Sequence, residues 1–196
     1  MSTAGTLFDE TIKNGYSKLL GTGIVDPPNT SVTSIAFSLL DTLGFDSYWF
    51  DLSGVRPSVQ DHLCMRVFLG GIGYSSGMYH YHSTQILFGS PDNTTGTYTG
   101  ISPGWSDQFF LGTNCQPTHP LSGRVALMND ARRSDNWKQF IWHTAMYSAG
   151  ADIIRTHIGS GFSEGSSAPL TTVQFFFGGA YFAYATIRCY GFRMGT

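Results

Sequence analysis

The hydrophobic pattern near the C-terminus predicts two long β-strands. The first spans Leu170–Phe177 and ends in three consecutive phenylalanines, and the second spans Phe182–Phe192. β-branched and aromatic residues dominate both segments, as a pleated, half-buried surface requires. Gly178 and Gly179 lie between them, and glycine adopts positive φ without steric cost, so the pattern predicts a β-hairpin. Because charged residues are nearly absent, we expect both strands to lie inside a sheet rather than at its edge.

Two registers are open for this hairpin. A two-residue turn would place Phe175 opposite Phe182. A longer loop with an odd number of residues would bring Val173 and Phe175 onto the same face as Ile187 and Cys189. We prefer the longer loop, because it gathers the aliphatic side chains on one side of the sheet.

From residue 31 onward, short segments alternate between apolar and polar residues and predict further strands. Their sequences are SVTSIAFSLL, SYWFDLSGV, HLCMRVFLGG, MYHYHSTQILFG, SDQFFLG, GRVALMN, WKQFIWHTAMY and ADIIRTHIG. The connection of residues 89–104 has the least ordered composition, and residues 159–169 have the composition of a flexible connection. About nine or ten strands and no convincing helix predict an all-β fold, an antiparallel two-sheet β-sandwich of the jelly-roll-like type.

Residues 1–30 differ from the rest and predict an N-terminal arm ahead of a sandwich domain of residues 31–196. The apolar residues of this arm have loose helical spacing, and Gly15 interrupts them, so we expect at most a short helix. Pro27 and Pro28 then break the chain. Two placements of the arm are open: on a neighbouring subunit or folded back on its own domain. The candidate partner-binding residues are Leu7, Phe8, Ile12, Leu19 and Leu20.

Composition agrees with an all-β protein. Aromatic residues make up 15% of the 196 residues, Gly is present 24 times, and charged residues make up 12%, about half of the roughly 25% that is usual. Many turns, many aromatics and few charges favour strands over helices. The scarcity of charge also indicates that a partner covers part of the surface.

Charge and cysteine content exclude several classes of protein. The formal net charge is -2, and acids flank the only basic doublet, Arg132-Arg133, so nothing predicts a nucleic-acid interface. Three cysteines without close pairs predict neither a disulfide framework nor a zinc site, and Cys64 and Cys189 are expected to be small buried hydrophobes. The polar N-terminus and the short apolar runs predict neither a signal peptide nor membrane insertion, and we expect assembly in a reducing cytoplasm.

No cluster of residues predicts catalysis or a cofactor. His80 and His82 point to one face of a strand, but a metal needs a third ligand, so a solvent-facing pair or a subunit contact is the preferred reading. The serines beside Gly159 and Gly165 lack the strained elbow of a nucleophile. Trp105, Trp137 and Trp142 have the planar rings that stack on sugars, although core or interface positions are more usual in a sandwich. We expect a protein that is not an enzyme.

The order of these segments resembles a family of bacteriophage virion proteins with a jelly-roll-like sandwich. Three stretches carry the resemblance: SVTSIAFSLLDTLGFDSYWFDLSGVRP, LCMRVFLGGIGYSSGMYHYH with Tyr79 and Tyr81, and LTTVQFFFGGAYFAYATIRCYGF. The chain departs from the family pattern at Leu69, where that family often has Asn, and at Cys189, which replaces Leu in the closing motif. The resemblance covers most of residues 31–193 and implies no catalytic residues.

This resemblance implies a structural protein of the virion exterior, either a capsid decoration protein or a component of a head or tail fibre. Such a protein would be a homo-oligomer, most simply a trimer, in contact with capsid or tail proteins. The alternative is a carbohydrate-binding module of a tail fibre or spike that recognises a glycan of the host surface. Exposed aromatics at loop tips that tolerate mutation would favour the alternative. An ordered apolar arm with extensive subunit contacts would favour the structural role.

Overall fold

The structure, a computed structural model, describes residues 17–26, 31–39, 45–73, 79–89, 98–101, 106–128, 137–148, 153–163 and 168–193. These residues contain thirteen strands and no helix. The strands are β1 (Ser17–Val25), β2 (Ser34–Ser38), β3 (Ser47–Pro57), β4 (Asp61–Leu69), β5 (Ile72–Gly73), β6 (Tyr79–Gly89), β7 (Tyr98–Ile101), β8 (Phe109–Cys115), β9 (Leu121–Leu127), β10 (Lys138–Ser148), β11 (Ile153–Ser163), β12 (Leu170–Phe177) and β13 (Phe182–Phe192). The part of the chain that is described thus offers no apolar helix with the length to cross a membrane.

All the strand pairs are antiparallel and form two sheets. The first has eight strands in the order β1-β13-β3-β9-β10-β11-β6-β7. The second has the order β2-β12-β4-β5, and β8 also pairs with β4. The sheets pack face to face, with a single cluster of buried apolar side chains between them. The predicted fold class, an antiparallel two-sheet β-sandwich, is confirmed.

Aromatic side chains from both sheets fill the core. Phe37 of β2 and Phe175 of β12 meet Phe50 of β3 across the core, with ring centroids 5.6 and 5.3 Å from that of Phe50. At the other side of the core, the Tyr79 hydroxyl accepts a hydrogen bond from the Val67 N–H at 3.0 Å. A side chain of the eight-stranded sheet therefore reaches the backbone of the second sheet.

The predicted C-terminal hairpin does not form, although both predicted strands have the expected bounds. β12 lies in the second sheet between β2 and β4, whereas β13 lies in the eight-stranded sheet between β1 and β3. The rings of Phe177 and Phe182 face each other with centroids 4.8 Å apart. Both proposed registers are therefore wrong, since residues 178–181 form an arch from one sheet to the other. The expectation that neither strand lies at an edge is confirmed.

Asp61, at the start of β4, holds this arch. Its Oδ2 accepts hydrogen bonds from the N–H groups of Gly179 at 2.7 Å and Ala180 at 2.8 Å. Its Oδ1 accepts one from the His62 N–H at 2.7 Å. A Cβ at Gly178 would lie 3.0 Å from Oδ1, and neither glycine of the arch has positive φ. Gly178 therefore allows the carboxylate to approach closely, and neither glycine supplies the positive φ that the sequence suggested.

Two neighbouring connections form hydrogen bonds with this arch at the same end of the sandwich. The Tyr181 carbonyl accepts a hydrogen bond from the Ser58 N–H at 2.8 Å, and the Tyr181 N–H donates to the Ser58 hydroxyl at 3.1 Å. The Phe182 N–H donates to the Val32 carbonyl at 2.9 Å. Ser58 lies in the connection from β3 to β4, and Val32 precedes β2. Three connections between the sheets are thus bonded to one another.

The structure corrects the prediction for the N-terminal arm. Leu19 and Leu20 lie in strand β1, which pairs with β13, and so they do not belong to a short helix. Gly21 and Gly23 of β1 lie directly over Phe37 and Ile35 of β2. Two glycines in a strand weaken its sequence signal, although here they allow β1 to approach the opposite sheet. Residues 1–16 lie outside the described residues.

Two segments predicted as loops contain strand. Within residues 89–104, β7 pairs with β6. Gly159, Ser160 and Gly161, which have the composition of a flexible loop, lie inside β11 and pair with β10 and β6. The Trp142 ring covers Gly159, and a Cβ there would overlap it. The glycines of β11 therefore make room for aromatic rings, which composition alone does not reveal.

We predict that Asp61→Ala destabilises the protein by about 1 to 2 kcal/mol, because several backbone N–H groups lose a charged acceptor that is partly exposed to solvent. Partial burial raises the pKa of Asp61, but the hydrogen bonds from Gly179, His62 and Ala180 outweigh it and hold the pKa below its usual value. The stabilisation is therefore present above pH ~4 and is lost as the pH falls through the lowered pKa.

Urea unfolding at pH 7 and at pH 3 measures this effect. The difference between wild type and Asp61→Ala should be clear at pH 7 and smaller at pH 3. Gly179→Ala is the matched control, because a Cβ there meets nothing within 4 Å and the N–H remains. Equal stability of Asp61→Ala and wild type at pH 7 would contradict the role given to Asp61.

Candidate functional site

The outer surface of strands β6, β10 and β11 carries no formally charged side chain. These three strands are adjacent, and each β11 residue pairs with one residue on either side. We call their outward-facing residues the uncharged face. The members whose side chains the structure describes are His80, His82, Thr84 and Ile86 on β6, Gln139, Ile141, His143, Ala145 and Tyr147 on β10, and Ile154, Thr156, Ile158, Ser160 and Phe162 on β11.

Large apolar side chains on this face are open to solvent. Ile141, Tyr147, Ile154 and Ile158 each expose more than two fifths of their surface, and the exposed share of Ile158 is 47%. Single exposed apolar residues are ordinary, but several on three adjacent strands without charge form a patch. Such a patch is typical of a surface that another molecule covers.

A groove of about 470 Å³ runs across the uncharged face. Ile141, Ile158 and His143 are among its larger lining side chains, and smaller ones, Ala126 and Ser160, lie beside them. The register places Ala126, Ile141, Ser160 and His82 in one row across four strands. Ala126 and Ser160 are smaller than Ile141, which lies between them, so each forms a depression beside Ile141.

A salt bridge borders the groove on the β9 side. The Arg124 Nε lies 2.6 Å from the Asp51 Oδ1, and both side chains are partly exposed. The Arg124 guanidinium also lies 4.5 Å from the centre of the Trp49 ring. The ring of Phe192 packs beside Trp49 at 4.5 Å. Arg124 is thus fixed by a carboxylate and an aromatic ring, and it ends the uncharged face with a polar border.

Three rings stack at one end of the uncharged face. The centroids of Trp137 and Phe162 are 4.7 Å apart with planes at 14°, and those of Phe162 and His80 are 5.0 Å apart at 19°. Trp137 is the outermost ring, and it exposes 56% of its surface. By contrast Trp142 is buried in the core, and Trp105 lies outside the described residues. Trp137 is therefore an exposed indole, supported by two stacked rings, next to the start of β10.

Two other histidines bond to the backbone of β8. The Nδ1 of His62 accepts a hydrogen bond from the Asn114 N–H at 3.2 Å, and the Nε2 of His157 accepts one from the Thr113 N–H at 3.4 Å. Asn114 has a positive φ of 55°. His62 lies in the second sheet and His157 in the eight-stranded sheet. The two rings therefore accept hydrogen bonds from the backbone N–H groups at the irregular end of β8 from both sheets.

Burial explains the electrostatic state of His157. Its side chain is almost fully enclosed. Burial first, and the charges of Arg155 and His62 next, lower its pKa from 6.5 to about 4. The ring is therefore neutral near pH 7, with Nε2 free of a proton so that it can accept from Thr113. This is a structural role, since Nε2 is already occupied.

The three cysteines are reduced and buried. Burial raises the pKa of each thiol, and that of Cys115 rises to about 12. A thiol with a raised pKa is a poor nucleophile at neutral pH. The prediction that Cys64 and Cys189 are small buried hydrophobes is confirmed.

His80 and His82 share the outer face of β6, as predicted, while Tyr79 and Tyr81 point into the core. Among the described residues, no three His, Cys, Asp or Glu side chains come together as a metal site would require. His80 instead stacks on Phe162. His82 lines the groove.

The predicted partner-binding residues are placed only in part. Leu7, Phe8 and Ile12 lie outside the described residues. Leu19 and Leu20 lie in β1, where Leu20 packs against the protein's own core. Of the two that are described, neither lies on the uncharged face.

Comparison of the chain with protein-family models, with curated proteins and with solved structures gives no match.

The uncharged face was not predicted from the sequence. In β10, both sets of alternating residues are largely apolar: Phe140, Trp142 and Met146 point inward, while Ile141 and Tyr147 point outward. The sequence of β10 does contain a signal for this face. A strand with one face in solvent alternates between apolar and polar residues, whereas β10 is largely apolar on both faces.

We predict that the free energy of unfolding falls as the pH drops from about 6.5 towards 4. In this range His157 binds a proton in the unfolded chain, whereas the buried ring stays neutral in the folded protein. The loss reaches about 3 kcal/mol at most. His157→Gln cannot titrate and retains an acceptor for the Thr113 N–H, so its stability should depend less on pH across this range. Urea titrations at several pH values measure the slope. His119→Gln, in a surface turn, is the control, and an unchanged slope in His157→Gln would refute the assignment.

Proposed function

We propose that the protein is a non-enzymatic structural component of a bacteriophage virion. It lies on the particle exterior, as a capsid decoration protein or in association with a head or tail fibre, and it contacts capsid or tail proteins as well as sister subunits. The uncharged face is the observation that carries this proposal. A broad, charge-poor sheet surface with exposed isoleucines is typical of a protein–protein contact, and the resemblance to virion proteins supplies the context.

The chemistry of the described residues supports a role without catalysis. His62 and His157 use a ring nitrogen to accept backbone hydrogen bonds. The thiols are buried with raised pKa values. The groove is lined by His82, His143 and Ser160 as well as by isoleucines, but no carboxylate lies among its lining side chains to orient a histidine as a general base. The thiols, His62 and His157 thus have structural positions, and the histidines of the groove lack this partner.

In this proposal the subunits form a homo-oligomer in the virion, after assembly in the host cytoplasm. Threefold symmetry follows from the resemblance alone. The apolar residues ahead of β1, Leu7, Phe8 and Ile12, anchor the subunit to the particle or to a neighbour. Leu19 and Leu20 contribute from β1, where they are half-buried.

The first test is whether the chain is part of the particle and whether the N-terminal residues anchor it. Antibody labelling of purified particles should locate the protein on their exterior. A full-length variant with Leu7, Phe8 and Ile12 changed to Ser should fold normally but bind particles poorly, because apolar contacts are lost. The control changes Thr3, Asp9 and Lys13 to Ser. Particles that lack the protein would refute the structural role, whereas normal binding of the apolar-to-Ser variant would refute only the anchor.

The stacked rings of Trp137, Phe162 and His80 favour a second function, recognition of a host-surface glycan. Sugars bind through their apolar ring faces to flat, exposed aromatic side chains, and Trp137 is the most exposed of the described aromatics. The neighbouring row of the sheet contains the hydroxyl of Ser160 and the imidazole of His82. These groups are suited to hydrogen bonds with sugar hydroxyls.

If the protein binds a glycan, Trp137→Ala should weaken binding to isolated host polysaccharide by about tenfold or more, because the stacking surface is removed. Isothermal titration calorimetry measures this change. Tyr181→Ala is the control, since Tyr181 is an exposed aromatic on the distant arch. Absence of wild-type binding to host polysaccharide, or equal binding by Trp137→Ala, would eliminate this second function.

A further inference from the structure

We propose that the uncharged face binds the same face of a second copy of this chain in a two-fold contact. The inference rests on the proposed structural role and identifies the surface through which sister subunits meet. In such a contact, residue i of one copy touches residue j of the other, and j touches i in return.

Removing the uncharged face from water costs little free energy. Charged side chains lose hydration when an interface forms, and the loss offsets much of what their pairing gains. The uncharged face contains no Asp, Glu, Lys or Arg, while its isoleucines lose only unfavourable contact with water. Interface centres are depleted of charge in the same way. The Asp51–Arg124 salt bridge lies at the border, where interfaces are polar.

Area supports the contact. β6, β10 and β11 each contain 11 residues. With about 3.4 Å per residue and about 4.8 Å between strands, these three strands cover roughly 540 Å². Two copies would then bury roughly 1,080 Å², which exceeds the roughly 1,000 Å² that a specific interface needs.

The charges on the other described faces of the chain indicate which surface is the partner. Among the described strands, the other half of the eight-stranded sheet carries Asp51, Arg124 and Arg188, and the outer side of the second sheet carries Arg66. A second copy that used either surface would bury a charge against isoleucine. The uncharged face matches itself better than it matches any other described face of the chain.

Shape supports the same pairing. Ile141 lies between the depressions at Ala126 and Ser160. When the face meets its own copy, Ile141 of each subunit can occupy a depression of the other. Twisted sheets that pack face to face cross at about 30°, as the layers of a sandwich do.

The test measures the mass of the full-length protein by sedimentation equilibrium. Wild type should contain an even number of 21.4 kDa chains: two, or six if trimers pair. Ile158→Glu places a charge in the middle of the contact and should weaken the two-fold association by about 100-fold or more. Ile24→Glu is the matched control, since Ile24 is equally exposed, at 50% against 47%, but lies in β1 at the far edge of the sheet.

Circular dichroism establishes that each variant is folded. If Ile158→Glu fails to fold, Ser160→Arg replaces it, because Ser160 is exposed and a longer side chain there fills the depression. Equal association of the folded face variant and wild type overturns the inference. A wild-type trimer overturns the two-fold contact and leaves the homo-oligomer of the proposed function intact, whereas a monomer overturns both of these.

Glycan binding by the uncharged face is the remaining outcome that would contradict the two-fold contact. If Ile158→Glu loses binding to host polysaccharide while its association stays unchanged, the face binds a carbohydrate and the inference is wrong. The particle-labelling experiment is independent of this result, so failure of the virion role and failure of the two-fold contact are distinguishable.

Discussion

The sandwich depends on the way its connections pass between the two sheets. The arch of residues 178–181, the connection through Ser58 and the segment at Val32 are hydrogen-bonded to one another, and the Asp61 carboxylate binds the arch directly. An arch exposes backbone N–H groups that no sheet can satisfy, and a buried or half-buried N–H without an acceptor is costly. A charged acceptor at Asp61 solves this problem at the point where β12 and β13 must separate. The phenylalanines on either side, Phe177 and Phe182, then face each other across the core.

Most strands could be predicted from the sequence, because alternation of apolar and polar residues reflects burial of one face. The same alternation does not reveal which strand is the neighbour. β12 and β13 have apolar inner faces that fit equally well beside each other or across the core, and so the hairpin was a reasonable but incorrect prediction. The sequence prediction missed strand β1 and ended strand β11 too early, and these two errors have a different cause. Gly23 of β1 and Gly159 of β11 lie beneath Ile35 and Trp142, and glycine in a strand has the composition of a loop.

The candidate site could not be predicted as a site, for a related reason. Its residues come from segments that are far apart in the sequence, since residues 79–89 pair with residues 153–163. Each strand alone shows only a few apolar residues on its second face. The lack of charge becomes meaningful when three such strands lie side by side. The stack of Trp137 on Phe162 and His80 likewise requires the register between strands. The individual tryptophans were identified from the sequence, but their separation into core and surface required the fold.

The position of β13 between β1 and β3 also determines when the fold can be completed. β1 is the first described strand and β13 the last, and β13 is the neighbour of β1 in its sheet among the described strands. During synthesis, therefore, residues 17–25 leave the ribosome long before their neighbour exists. Contacts between segments so distant in the chain form slowly, because a long loop must close first. A chain that terminates before residue 182 leaves β1 unpaired and one edge of β3 open, and exposed edges of this kind promote aggregation. This sheet is thus completed only after β13 has been synthesised, since β13 joins β1 to β3.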